Sequence, residues 1–173
     1  MRALEFWKAV TVDRSNLLER LIALLNEHDI RYCVIGGQAV NAYVEPLVSL
    51  DLDLVVATAQ MSEAESLLKN AFRVEQFEHS LNVSLKGSDL RVQIQTDPRY
   101  AEFISRASIR SVLGFDLPVA SLEDVLKGKV WAAQDATRRK SKRQKDLADI
   151  ARIIEAEPRL GASVPQDILG KLE

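Results

Sequence analysis

The stretch that decides the fold is Val34-Ile35-Gly36-Gly37-Gln38-Ala39-Val40, which is followed closely by Ser49-Leu50-Asp51-Leu52-Asp53-Leu54. The first part predicts a short strand that ends at a glycine pair, from which a helix begins. The second part predicts an apolar strand that carries two aspartates. Consecutive side chains alternate across a strand, so Asp51 and Asp53 are expected on one face. Because burying a carboxylate without a partner is costly, the pair predicts a site for a divalent cation.

The composition indicates a folded globular protein. The chain has 173 residues, of which 47% are hydrophobic, and this is enough for one domain with a substantial core. No apolar run reaches the roughly 18 residues that span a bilayer, and charged residues interrupt the first ten, so we expect no secretion signal. Cys33 is the only cysteine, which excludes an internal disulfide and is typical of a reducing compartment. We therefore expect a cytoplasmic protein that does not bind membranes.

One basic segment is concealed by the net charge of −2. The residues from Arg138 to Lys145 include six cations and no acid. Such a cluster can bind phosphates, although a solvated loop and helix start explain it equally well. The charge of the whole chain does not indicate a general nucleic-acid-binding protein.

Hydrophobic periodicity predicts an α/β core over residues 1–120 and a helical C-terminal section over residues 121–173 that packs on the core. Strands are predicted at 31–35, 50–56, 72–76, 81–86 and 90–96. Helices are predicted at 13–30, 38–44, 62–70, 100–107, 121–133, 142–156 and 165–172. The stretch 109–119 is expected to be extended and irregular. Together these elements predict a small mixed β-sheet flanked by helices.

The glycine pair and the aspartate pair suit the same chemistry. Glycines at a helix start let backbone N–H groups and the positive helix end approach a phosphate. Mg²⁺ takes few carboxylates together with substrate phosphates and water. The combination suits attack of a hydroxyl on the α-phosphate of a nucleotide. A glycine turn beside two exposed acids of an edge strand is the other interpretation, and the apolar strand around the acids favours the first.

The glycine pair followed by Asp51-Leu52-Asp53 resembles the nucleotidyltransferase superfamily, which has the polymerase-β-like fold. A later pattern is similar to the AbiEii/AbiGii toxin-type nucleotidyltransferases of bacterial toxin–antitoxin systems. It consists of a lysine on the helix from Leu122 to Ala133 and a Lys-Asp-x-x-Asp sequence ending at Asp149. The resemblance covers residues 21–154. It implies a polymerase-β-like α/β fold, use of an NTP with Mg²⁺, and RNA (such as tRNA) or a protein as partner.

The resemblance also implies roles for individual residues. Asp51 and Asp53 would be catalytic metal ligands, Lys129 would contact a phosphate, and Asp146 would support the site from the C-terminal helix. The nucleotide-binding residues would be Gly36, Gly37, Gln38, Ser49, Gln93 and Lys129.

Spacing alone leaves some of these positions open. Lys129 lies on the apolar stripe of its predicted helix, so its amine can point inward, or it can extend past the edge of the core into solvent. Lys127 takes its place if the register shifts. The two acids of the helix predicted over 142–156 also fit surface pairs with lysines four residues earlier, namely Lys142–Asp146 and Lys145–Asp149.

The chain also departs from the superfamily pattern. Many members have a third metal-binding carboxylate on a later strand, where this chain offers Gln93 and Gln95, and a glutamine brings no negative charge to a metal. An arginine often found shortly before the paired acids is absent. Asp89 and Asp97 are the nearest candidates for another base. These departures support a second hypothesis, a nucleotide-binding or antitoxin-like protein-interaction module with weakened catalysis.

Overall fold

A seven-stranded mixed sheet forms the centre of the computed structural model, which describes Glu5 and residues 15–173. The strands are β1 (Tyr32–Ile35), β2 (Asp51–Val56), β3 (Arg73–Gln76), β4 (Ser80–Ser84), β5 (Arg91–Gln95), β6 (Ser108–Val112) and β7 (Phe115–Val119). They lie in the order β3-β4-β5-β2-β1-β7-β6. β2 pairs antiparallel with β1 and parallel with β5, so the strand that carries the two aspartates is the middle strand of the sheet.

The helices pack around this sheet. They are α1 (Leu17–Glu27), α2 (Gly36–Tyr43), α3 (Met61–Ala71), α4 (Leu122–Gln134), α5 (Lys140–Ala156) and α6 (Gln166–Leu169). α4 packs against both α2 and α5, which brings the C-terminal helices over the start of α2. A mixed sheet flanked by helices is the fold class that the sequence predicts. No helix in the described part of the chain has the length and apolar character needed to cross a bilayer.

The first predicted helix, over 13–30, is observed as α1 from Leu17 to Glu27, and Asp13 lies outside the described residues. The helix predicted from Gln38 begins two residues earlier, at Gly36. The helix predicted over 100–107 is a 3-10 helix, Pro98–Arg106, whose first turn is capped by Asp97.

The prediction of an irregular stretch over 109–119 is wrong, because β6 and β7 form an antiparallel hairpin there. Its two-residue turn is Leu113-Gly114, and both residues have positive φ, 54° and 87°. Two-residue hairpin turns favour this geometry, but Asn or Asp normally occupies the position of the leucine. Pro118 within β7 also argues against a strand, since proline cannot donate to a ladder. Leu113 and Pro118 are unusual at these positions, which is why the sequence did not predict the hairpin.

Candidate active site

The carboxylate of Asp53 lies directly against the backbone of Gly36. Ile35 pairs with Asp53 across the antiparallel ladder of β1 and β2, so the chain enters α2 beside this carboxylate. Gly36 has a φ of +69°, in the left-handed region that favours glycine. A Cβ added at Gly36 would overlap Oδ2 of Asp53, whereas a Cβ added at Gly37 would meet only Ser49 Oγ, at 3.8 Å. The two glycines therefore differ: Gly36 must be a glycine, and Gly37 has space around it.

Asp51 and Asp53 share one face of β2, as predicted, while Leu52 and Leu54 are buried in the core on the other face. The parallel register of β2 and β5 places Asp51 beside Arg91 and Asp53 beside Gln93. Gln93 thus lies next to the aspartate pair, as expected for the residue in the position of a third carboxylate.

Two cations of the chain bind the carboxylate of Asp51. Arg91 Nε lies 2.8 Å from Oδ1, and Lys142 Nζ lies 3.5 Å from Oδ2. Lys142 belongs to α5, so this contact joins the first turn of that helix to the middle strand. The surface pair of Lys142 with Asp146, which the sequence left open as an alternative, is therefore not the observed pairing.

Lys129 points inward and is 11% exposed. Its Nζ lies 3.2 Å from Asp146 Oδ1 and 2.8 Å from Asp149 Oδ2. Burial lowers the pKa of Lys129, but the charges of Asp149 and Asp146 outweigh burial and raise the pKa above its ordinary value. Of the two orientations that the sequence allows, the inward one is observed, while Lys127 is exposed.

Asp146 and Asp149 are also buried, so neither is the acid of a surface pair. Asp146 accepts a hydrogen bond of 2.7 Å from Arg138 Nε. Asp149 lies 2.9 Å from Arg152 Nη1 and has no ion pair with Lys145 within the described residues. The alternative pairing of Asp149 with Lys145 is therefore not the observed one either. The two acids hold Lys129 and Arg138 in place at the site.

A cavity of about 80 Å³ is lined both by residues that the sequence predicts to bind phosphate and by Asp53, one of the two aspartates. Gly36, Asp53, Gln93, Lys129 and Arg138 all line it. Burial raises the pKa of Asp53 to about 6; the charge of Lys129 opposes this, and the charge of Asp51 adds to it. A carboxylate in such surroundings gains from a bound cation, because the cation stabilises its ionised form.

A second space, a groove of about 390 Å³, lies beside Asp51. Asp51, Glu75, Arg91, Gln93 and Lys142 line it. Gln93 borders both spaces, so the cavity and the groove adjoin beside the aspartate pair.

The residues present fit one Mg²⁺. Two carboxylates on one face suit this ion, which completes its shell with substrate phosphates and water. Oδ2 of Asp53 occupies the space that a Cβ of Gly36 would fill, so an ion held by Asp53 would lie beside the backbone at the start of α2. Within the described residues, no group of three or more His, Cys, Asp or Glu side chains could hold a metal.

The other predicted residues lie at the edge of the site. The buried Gln38 donates from Nε2 to the carbonyl of Ser49 at 3.1 Å. Ser49 Oγ accepts from the backbone N–H of Asp51 at 3.4 Å. Both shape the entry to β2, and their role in nucleotide binding stays a prediction. Asp97 binds Arg99 and caps the 3-10 helix, and Asp89 is exposed in a turn, so neither lies in the cavity or the groove.

Sequence reasoning missed the contributions of Arg91, Arg138 and Lys142. Arg91 lies on the same strand face as Gln93, so alternation along β5 could have placed it beside Asp51. Arg138 and Lys142 belong to the basic segment, whose charge alone did not indicate which acids its side chains would contact.

Comparison with solved structures identifies the fold. No protein-family model matches the chain, and no curated protein sequence matches it. The antibiotic-resistance factor ANT(2'')-Ia is 15% identical, with a TM-score of 0.59 over 85% of this chain and 88% of that chain. The lincosamide antibiotic adenylyltransferase LnuA is 13% identical, with a TM-score of 0.55 over 83% and 99%. A nucleotidyltransferase-like protein from Paracoccidioides brasiliensis is 19% identical, with a TM-score of 0.53 over 84% and 78%.

These likenesses show that the chain has the nucleotidyltransferase fold, which confirms the predicted superfamily fold. The finer resemblance to the toxin-type family stays a prediction.

Proposed function

We propose that this chain is a Mg²⁺-dependent nucleotidyltransferase that moves a nucleotidyl group from an NTP to a hydroxyl of an RNA, such as tRNA, or of a protein. One observation carries the proposal. The carboxylate of Asp53 lies against the backbone of Gly36 in a cavity that also holds Lys129 and Arg138, with Asp51 beside it on the same strand face.

In the proposed reaction, the acceptor hydroxyl oxygen forms a bond to the α-phosphorus of the NTP. The bond from that phosphorus to the bridging oxygen breaks, pyrophosphate leaves with the electron pair, and the hydroxyl proton passes to solvent. Asp51 and Asp53 would hold Mg²⁺, which when bound supplies positive charge to the reacting phosphate. Lys129 and Arg138 neutralise phosphate charge from the cavity side.

The shape of the site supports a reaction with two substrates. The phosphates of the NTP would enter the cavity, where backbone N–H groups at the start of α2 and the side chains of Lys129 and Arg138 are available. The acceptor would approach along the groove beside Asp51. The fold is consistent with this activity, since LnuA is named as an adenylyltransferase.

A more specific proposal concerns the family. Lys129, Asp146 and Asp149 are the residues of the pattern that resembles the AbiEii/AbiGii toxin-type nucleotidyltransferases, and their side chains form one ion network. This contact supports membership of that group and a role as a component of a toxin–antitoxin system.

The test of the activity compares Asp51→Ala with Asp89→Ala, which removes an exposed carboxylate of a turn. Calorimetry with each NTP, with and without Mg²⁺, should show Mg²⁺-dependent binding for the wild type and for Asp89→Ala, and none for Asp51→Ala. Incubation with α-labelled NTP and total RNA or cell protein should transfer label only with the first two. Unchanged nucleotide binding by Asp51→Ala would refute the assignment.

Gln93 favours a second candidate function. Because an amide occupies the position beside Asp53, the chain could bind a nucleotide or a partner protein without transfer, as an antitoxin-like module. Mg²⁺-dependent binding of NTP without label transfer to any acceptor would support this function. Label transfer would exclude it.

A further inference from the structure

Both oxygens of Asp51 already have cationic partners from the chain. Arg91 Nε lies 2.8 Å from Oδ1, and Lys142 Nζ lies 3.5 Å from Oδ2. The two cations come from β5 and from the first turn of α5, and both border the groove. A divalent cation on the groove side of Asp51 would therefore enter beside two like charges, which opposes its binding.

Lys142 is held near this position by the rest of α5. Asp146 and Asp149, one and two turns further along the helix, are buried and bound to Lys129 of α4. Lys142 itself is only 34% exposed. Its ammonium group is therefore a built part of the groove wall, whereas the more exposed Arg91 can move.

The ligands for a second cation are also missing on β5. Gln93 is the register partner of Asp53 and lines both the cavity and the groove. An amide oxygen is a neutral ligand, so it does not compensate for the repulsion from Arg91 and Lys142. Asp51 and Asp53 are the two carboxylates on this face of β2. The further carboxylate that lines the groove, Glu75, lies on β3, which two strands separate from β2, and it pairs with Arg73 at 3.2 Å.

We propose that this centre is built for one divalent cation, and that Arg91 and Lys142 supply on the groove side of Asp51 the positive charge that a second cation supplies in two-metal sites. This inference rests on the proposed function. It assigns Lys142 as a positioning residue: its ammonium group fixes the Asp51 carboxylate and neutralises charge where the acceptor hydroxyl would enter.

The test counts bound Mn²⁺ by electron paramagnetic resonance, with the wild-type chain and a saturating α,β-methylene analogue of each NTP in turn. We expect one Mn²⁺ per chain, with the spectrum of an isolated ion. Two ions about 4 Å apart would show exchange coupling. A count of two with coupling would overturn the single-cation proposal while supporting the nucleotidyltransferase assignment. A count of zero would overturn both.

A matched pair of variants tests the residues assigned. The double variant Gln93→Asp, Lys142→Ala adds a carboxylate beside Asp53 and removes the ammonium group, so the count should rise from one to two. In the control, Lys142→Ala alone, the ammonium group is removed and no carboxylate is added, so the count should remain one. Thermal denaturation checks that both variants fold. A count of one for both folded variants would overturn the role given to Gln93 and Lys142.

Discussion

Gly36 brings the main chain into contact with the carboxylate of Asp53. Its positive φ and the position of Asp53 Oδ2 both exclude a side chain there. A phosphate that binds at the start of α2 would consequently lie next to Asp53. The neighbouring Gly37 has neither constraint, so of the two glycines only Gly36 is required by the local structure.

We predict that Gly36→Ala destabilises the fold and abolishes Mg²⁺-dependent nucleotide binding. An alanine at positive φ costs about 1–2 kcal/mol, and its Cβ must also displace the carboxylate of Asp53. Chemical denaturation and calorimetry measure the two effects. Gly37→Ala is the control for stability, since its Cβ would meet only Ser49 Oγ, at 3.8 Å. Equal stability of the two variants would contradict the constraint described at Gly36.

At the scale of elements, a buried ion network joins α4 to α5. Lys129 of α4 binds Asp146 and Asp149 of α5, and Arg138, from the loop between the two helices, binds Asp146. Asp146 is 1% exposed, so its charge depends wholly on these partners. The network orients α5 so that Lys142 reaches Asp51.

We predict that Asp146→Ala lowers the free energy of unfolding by about 3–5 kcal/mol, because it removes the counter-charge of Arg138 and one of the two counter-charges of the largely buried Lys129. Arg159→Ala serves as the comparison. It removes an exposed ion pair with Glu123, which is 3.0 Å long, and should cost no more than about 1 kcal/mol. Urea denaturation gives both values, and similar losses for the two variants would show that the network is not the connection between the helices.

At the scale of the whole molecule, the partly buried Asp53 couples stability to pH. The pKa of Asp53 is raised by burial from 3.8 to about 6. Between these values the folded chain retains a proton that the unfolded chain has released. Deprotonation therefore favours the unfolded state, and this contribution to stability is lost as the pH rises through about 6.

We predict that, with divalent cations removed by a chelator, Asp53→Asn becomes more stable relative to the wild type as the pH rises from 4 to 7. The asparagine does not ionise, and each unit of pKa difference corresponds to about 1.4 kcal/mol. Urea denaturation at each pH measures the difference between the two proteins, which cancels the other titrating groups. A difference independent of pH would mean that Asp53 is not perturbed. Added Mg²⁺ should narrow the difference, because the cation stabilises the ionised wild-type carboxylate.

Patterns within a few residues determined the local parts of this protein. Strand alternation placed Asp51 and Asp53 on one face, the glycine pair predicted the start of α2, and helical spacing allowed Lys129 to point inward. Each of these follows from backbone geometry that repeats every two to four residues. The mixed sheet with flanking helices was predictable for the same reason.

Only the tertiary structure decided how distant residues meet. The β6–β7 hairpin depends on a leucine at positive φ, and the pairing of Lys142 with Asp51 joins residues 91 positions apart in the chain. Within α5 alone, Lys142 and Asp146 are suitable partners, and the pair is not formed because the packing of α5 on α4 turns Asp146 toward Lys129 and Arg138. Charge partners in a folded chain are chosen by the register of strands and the packing of helices, and a one-dimensional pattern contains neither.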